Sequence, residues 1–188
     1  MTKRLTKIGV NPDFQELSSF VHELPTVFET GGKVIYKGRN ELKEFDVEGK
    51  KLIVKSYQLP HLLNRIIYNF FRASKAKRSY SYALMLRKLG IGSPAPVGYY
   101  STGSWLLFGR SYFVCLKSDC PYTYRDFEKT VFPNQEQILR AIARTTAMLH
   151  ENGLLHKDYS AGNILFRTID EKVEVEIICL LYTSDAAD

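Results

Sequence analysis

The chain has 188 residues, 45% of them hydrophobic, and a formal net charge of +6 at pH 7. That is enough apolar material for one sizeable domain or two small packed lobes, and it argues against a disordered chain. The three cysteines, Cys115, Cys120 and Cys179, form no CxxC pair and no closely spaced Cys and His set, which speaks against a disulfide framework or a structural zinc and for a reduced compartment.

The start, MTKRLTKIGVNPDF, is positive but has no apolar stretch behind it, so it lacks the core of a secretory signal. No run approaches transmembrane length. After this polar stretch, Lys33-Val34-Ile35-Tyr36 reads as a strand, Lys37-Gly38-Arg39-Asn40 as a turn and Leu42 to Val47 as a second strand. Glu48-Gly49-Lys50 then turns the chain into Lys51 to Tyr57, giving a three-stranded antiparallel meander that Pro60 ends.

From Leu62 the apolar residues Leu62, Leu63, Ile66, Ile67, Phe70 and Phe71 recur at helical spacing, a stripe that fits packing against a sheet better than a membrane surface. A second helical pattern runs from about Ser79 to Leu89 and stops at Gly90, which suits a left-handed cap. Val97 to Tyr100 and Tyr112 to Leu116 read as two further strands, with Gly103 and Gly109 marking turns around Trp105 to Phe108. Residues 49 to 118 hold twelve Lys or Arg and no Asp or Glu. The middle third should therefore present a positive surface, suited to phosphate, nucleic acid or an anionic membrane face, or simply a solvated face.

Gln135 to Glu151 carries Ile138, Ile142, Met148 and Leu149 on a helical period and is closed by Asn152-Gly153. Directly after it stands His156-Lys157-Asp158-Tyr159-Ser160-Ala161-Gly162-Asn163-Ile164-Leu165-Phe166, an H-x-D-x-x-x-x-N motif followed by a strand, with Val175 to Ile178 as another strand. Phosphoryl transfer needs a carboxylate to take or orient the acceptor hydroxyl's proton, and an amide oxygen a few residues on to hold Mg²⁺ against phosphates. Asp158 and Asn163 suit those roles, Asn163 being the metal-ligand candidate, and His156 suits bracing the loop. The alternative is a polar turn between a helix and a strand. Lys55, on the third strand of the meander, is the candidate cation for nucleotide phosphates.

This ordering is similar to the protein-kinase-like fold, and KGRNELKEF, VKSY, KAKRSYSYA, GIGSPAPVGYY and HKDYSAGNILF resemble the bacterial lipopolysaccharide core kinases, the Kdo and heptose kinase family, over roughly residues 30 to 178. The resemblance implies an α+β, two-lobed fold: an N-terminal extension (1–29), an N-lobe of antiparallel sheet plus helices (30–118), a hinge near Lys117 to Pro121 and an incomplete helical C-lobe carrying the catalytic loop (119–178). It further implies ATP and Mg²⁺ as cofactors and, as acceptor, a sugar hydroxyl of the lipopolysaccharide core or lipid A. The setting would be cytoplasmic, peripheral at the inner membrane through the basic region, without nucleic acid or an obligate protein partner.

Three departures qualify the likeness. The glycine-rich loop is absent, with only Gly38 in the first hairpin; Lys37, Arg39 and the turn's backbone N–H groups are the candidates for phosphate contact there. No acidic residue lies between Glu48 and Asp119, and Ser81 stands where similar sequences place the helix Glu that pairs with the third-strand Lys. Cys179 occupies the place of the metal-binding Asp, and residues 179–188 look like a foreign tail, so Asp185 and Asp188 are not read as ligands. A chain so altered is expected to bind nucleotide poorly and turn over little. The rival readings are another kinase-fold phosphotransferase with an aminoglycoside or protein acceptor, a pseudokinase binding module, and a basic protein of nucleic-acid or membrane surfaces.

Overall fold

The computed structural model describes residues 5–57, 73–103, 108–156, 158–170 and 172–178. The expected helix from Leu62 and the turn at Trp105 lie outside these residues, as does the tail from Cys179. The chain divides into two compact units, residues 1–81 with 95–117, and residues 82–94 with 118–188.

The first unit is built on a six-stranded antiparallel sheet. Its strands are β1 (Leu5–Val10), β2 (Lys33–Lys37), β3 (Glu41–Val47), β4 (Lys50–Tyr57), β5 (Pro96–Gly103) and β6 (Phe108–Leu116), in the order β1-β5-β6-β4-β3-β2. The expected meander is β2-β3-β4, with Leu42 opposite Lys55 and Phe45 opposite Leu52. β5 and β6 are the two further strands; Gly103 ends β5, but Gly109 lies inside β6 rather than at a turn.

Residues 5 to 30, which read as a polar stretch, instead form structure. β1 pairs with β5, a 3₁₀ turn covers Pro12–Leu17, and the short helices α1 (Ser18–His22) and α2 (Leu24–Thr30) follow. Leu17, Val21, Leu24 and Phe28 are buried against Leu52, Val54, Val97, Tyr112 and Val114 of the sheet. These four follow at i, i+4, i+7 and i+11, a helical stripe that Pro12, Pro25 and the break at Glu23 obscure in the sequence. Lys43 of β3 fixes α2: its Nζ donates to the carbonyls of Phe28 (2.6 Å) and Gly31 (3.1 Å) and lies 4.7 Å from the Phe28 ring centroid. A helix C-terminus leaves carbonyls without intrahelical donors, and a cation there meets both them and the negative end of the dipole.

Helix α3 (Lys75–Lys88) starts four residues before the expected point and ends at Gly90, whose φ of +73° is the left-handed cap conformation. Gly90 N–H bonds the Arg87 carbonyl and Ile91 N–H the Leu86 carbonyl. Leu86 and Ile91 both enter the core of the second unit.

That core is completed by α5 (Gln135–Glu151), which has the span its periodicity predicts, and by a three-stranded antiparallel sheet of β7 (Tyr122–Thr123), β8 (Ile164–Ile169) and β9 (Lys172–Ile177). The one-turn helix α4 (Tyr124–Phe127) follows β7 and is closed by a capping box between Thr123 and Asp126. β7 and α4 are too short for periodicity to reveal. Ile138, Ile142 and Leu149 of α5 meet Ile164, Phe166 and Ile177 of the sheet, with Phe127 and Phe132 edge-on to Phe166. No helix among the described residues is long and apolar enough to cross a membrane.

Two predictions follow from this packing. At Gly92, whose carbonyl accepts from Ile177 N–H at 2.8 Å, a Cβ would collide with the Val175 carbonyl oxygen, so Gly92→Ala should destabilise the chain by about 1–3 kcal/mol. An unchanged urea midpoint would refute the close approach. Burial, with the Glu176 charge adding, pushes the Cys120 thiol up to about 11. Below that pH it stays a thiol, so mass-mapped alkylation of the folded chain should spare Cys120 at pH 8 and reach it only on unfolding or near pH 11.

Candidate active site

The motif residues sit in the loop between α5 and β8, and this loop is closed on itself by backbone and amide hydrogen bonds. Asn163 is buried, and its Nδ2 donates to the Asp158 carbonyl at 2.8 Å. The same carbonyl accepts from Ser160 N–H at 2.8 Å, and Asn163 N–H donates to the Ser160 carbonyl at 2.8 Å. Ile178 N–H then donates to the Asn163 carbonyl at 2.9 Å. The side chain of Asn163 therefore ties both ends of the motif together, while Asp158 is exposed to solvent.

His156 braces the loop from the other side. Its Nε2 lies 3.1 Å from the Ile178 carbonyl oxygen, which can only accept, so the ring donates. Its Nδ1 is buried without a partner among the described residues, and the ring meets Tyr159 edge-on at 5.8 Å. Tyr159, which no pattern in the sequence singles out, anchors the loop to α5. Thr146 Oγ1 donates to the Ile142 carbonyl at 2.8 Å, so at 2.6 Å it accepts from the Tyr159 hydroxyl. Burial raises the Tyr159 phenol above its usual range, the Thr146 bond partly offsetting this. It remains a donor through neutral pH.

In the first unit, Lys55 is buried on β4, with Nζ 5.3 Å from the ring centroid of Tyr57, its neighbour on the same strand face. The Tyr57 hydroxyl is 2.6 Å from Ser79 Oγ of α3, and both residues are buried. Ser81, two residues on and about 200° around the helix, is exposed. The residue of α3 that bonds this strand is thus Ser79. Two serines at i and i+2 cannot share a helix face, and only the docked helix decides which turns inward.

Gly38 and Arg39 are exposed in the β2–β3 turn, where Gly38 N–H donates to the Asn40 carbonyl at 3.1 Å and the Tyr36 side chain packs over Gly38. No group of three or more His, Cys, Asp or Glu able to hold a metal ion occurs among the described residues. In the loop the Asn163 amide nitrogen is committed to the Asp158 carbonyl, which leaves its amide oxygen as a candidate donor beside the exposed Asp158 carboxylate.

The family model described as the lipopolysaccharide kinase (Kdo/WaaP) family matches residues 37–181. The chain belongs to this family. Its structure is similar to that of WaaP in complex with acyl carrier protein, with a TM-score of 0.63, 18% identity, and coverage of 93% of this chain and 70% of that one. At that identity the likeness shows the fold, which is the expected kinase-like arrangement of antiparallel sheet and helices. The PknI kinase domain of Mycobacterium tuberculosis also aligns, at a TM-score of 0.46 and 15% identity over 78% of this chain and 56% of its own. No curated protein matches the sequence.

The kinase family's loop thus owes its position here partly to Tyr159. Tyr159→Phe should lower stability by about 1 kcal/mol, the usual net worth of one hydrogen bond. Thr146→Val should cost a similar amount, and the double variant less than the sum, because both remove the same bond. Strict additivity in urea denaturation would show that the bond does not form.

Proposed function

We propose that this protein transfers the terminal phosphoryl group of ATP, with Mg²⁺, to a sugar hydroxyl of the lipopolysaccharide core or lipid A. The observation that carries the reading is the closed loop that exposes the Asp158 carboxylate while burying Asn163 beneath it, in a chain of the lipopolysaccharide kinase family.

In this reading Asp158 orients the attacking hydroxyl and accepts its proton. Asn163 offers its amide oxygen, a hard neutral donor of the kind magnesium takes, and bound Mg²⁺ would supply neutralisation of phosphate charge. Lys55 binds nucleotide phosphate, and its burial raises the strength of that contact by lowering the local dielectric. His156 and Tyr159 hold the loop without touching substrate. The turn at Gly38 and Arg39 contributes the positive charge of the exposed Arg39 to the nucleotide. The protein would work at the cytoplasmic face of the inner membrane, its basic segment toward anionic headgroups. Because the WaaP structure contains acyl carrier protein, co-purification with that carrier is the test for a protein partner.

A pseudokinase is the second reading, favoured by Cys179 standing in the sequence where similar sequences place the metal-binding Asp. A kinase-fold enzyme acting on aminoglycosides or proteins would use the same Asp158 and Asn163. The purified chain should therefore be offered lipopolysaccharide core, aminoglycosides and a protein acceptor with radiolabelled ATP. Label is expected on the core alone. Asp158→Asn should then lower kcat by about 10²–10⁴-fold with ATP affinity retained, and Lys55→Met should weaken ATP binding. ATP binding without transfer to any acceptor would favour the pseudokinase, and transfer to another acceptor would overturn the assignment.

A further inference from the structure

A kinase loop must place positive charge near the phosphoryl group, because charge accumulates on its oxygens as the bond to the leaving group breaks. Between Asp158 and Asn163 the loop residues are Tyr159, Ser160, Ala161 and Gly162, and none carries charge. The charge beside this stretch comes from another element. Arg125 of α4 donates its backbone N–H to the Ala161 carbonyl at 3.1 Å, and its guanidinium lies over Gly162, with Nη2 3.4 Å and Cζ 3.7 Å from where a Cβ would stand.

Among the described residues that guanidinium forms no side-chain hydrogen bond or ion pair, and its charge acts on Asp126 only as a minor influence at a distance. Arg125 is exposed, and no carboxylate among the described residues forms an ion pair with it. The adjacent carboxylate, Asp126, is committed to Thr123, accepting from its N–H at 2.8 Å and its hydroxyl at 2.7 Å. Because the backbone bond to Ala161 is independent of side-chain identity, the loop contact survives substitution of Arg125. A planar guanidinium can meet phosphate oxygens with two parallel N–H groups, and this one lies over Gly162, one residue before Asn163.

We propose that Arg125 is a phosphate-binding residue beside the catalytic loop, supplying positive charge next to the uncharged stretch from Tyr159 to Gly162. The inference rests on the kinase reading above. The chemistry recognised is a phosphoryl group, which can come from the terminal phosphate of ATP or from a phosphate already on the acceptor.

Calorimetric titrations separate these sources. Wild type, Arg125→Gln and Arg125→Lys would each be titrated with MgATP, MgADP, phosphorylated core oligosaccharide and its phosphatase-treated form, with urea midpoints checked for folding. If the source is the nucleotide, Arg125→Gln should weaken MgATP about ten- to a hundredfold while leaving MgADP unchanged. If it is the acceptor, the same loss should appear for the phosphorylated oligosaccharide only. Arg125→Lys should recover part of either loss, keeping the charge but not the fork. Wild-type affinities retained in Arg125→Gln for all four ligands would overturn the proposal and leave the kinase reading standing. Failure of the folded wild type to bind any of them would overturn both.

Discussion

The bond from the Asn163 amide to the Asp158 carbonyl is the constraint around which the second unit is organised. The six residues from Asp158 to Asn163, in the loop between a helix and a strand, would ordinarily wander, since each residue left free retains about 1–2 kcal/mol of backbone entropy. Here the loop is fixed at both ends by one buried side chain, and its next neighbour, Ile178, is fixed to Asn163 in turn. His156 and Tyr159 add bonds to the end of β9 and to α5. The outcome is one exposed carboxylate on a framework held by hydrogen bonds, which is what a group awaiting a hydroxyl requires.

The first unit solves a different problem, that of keeping a lysine inside a sheet. Burying an ammonium is costly unless something compensates, and on β4 the Tyr57 ring lies close to the Lys55 ammonium. Tyr57 is itself tied to Ser79, so the strand and helix are joined by a hydroxyl pair. The N-terminal helices cover the other face of β4, against Leu52 and Val54, with Lys43 holding α2 through its free carbonyls. Lys43 thus holds the fold together, and Lys55 is proposed to serve the nucleotide.

Much of this was legible in advance where the pattern was long. α5 spans five turns with a regular apolar stripe and an Asn-Gly stop, and the meander alternates strands with glycine turns, so both were found at close to their true bounds. The N-terminal elements were missed because none is long enough to establish a period and prolines interrupt the stripe that Leu17, Val21, Leu24 and Phe28 make. β7 and α4, with two and four residues, offer no period at all, yet α4 brings Arg125 to the loop.

The sequence by itself determined the chemistry on offer: an Asp and an Asn at fixed spacing after a helix, and a lysine on a third meander strand. Those are local facts, set by the order of residue types along the chain. Tertiary structure alone decided that Asn163 turns its amide inward to Asp158, that Ser79 rather than Ser81 meets the lysine strand, and that Arg125 lies over Gly162. Each depends on which face of a short element packs against a distant one, and that choice is made by burial across the whole unit, not by neighbours in the chain.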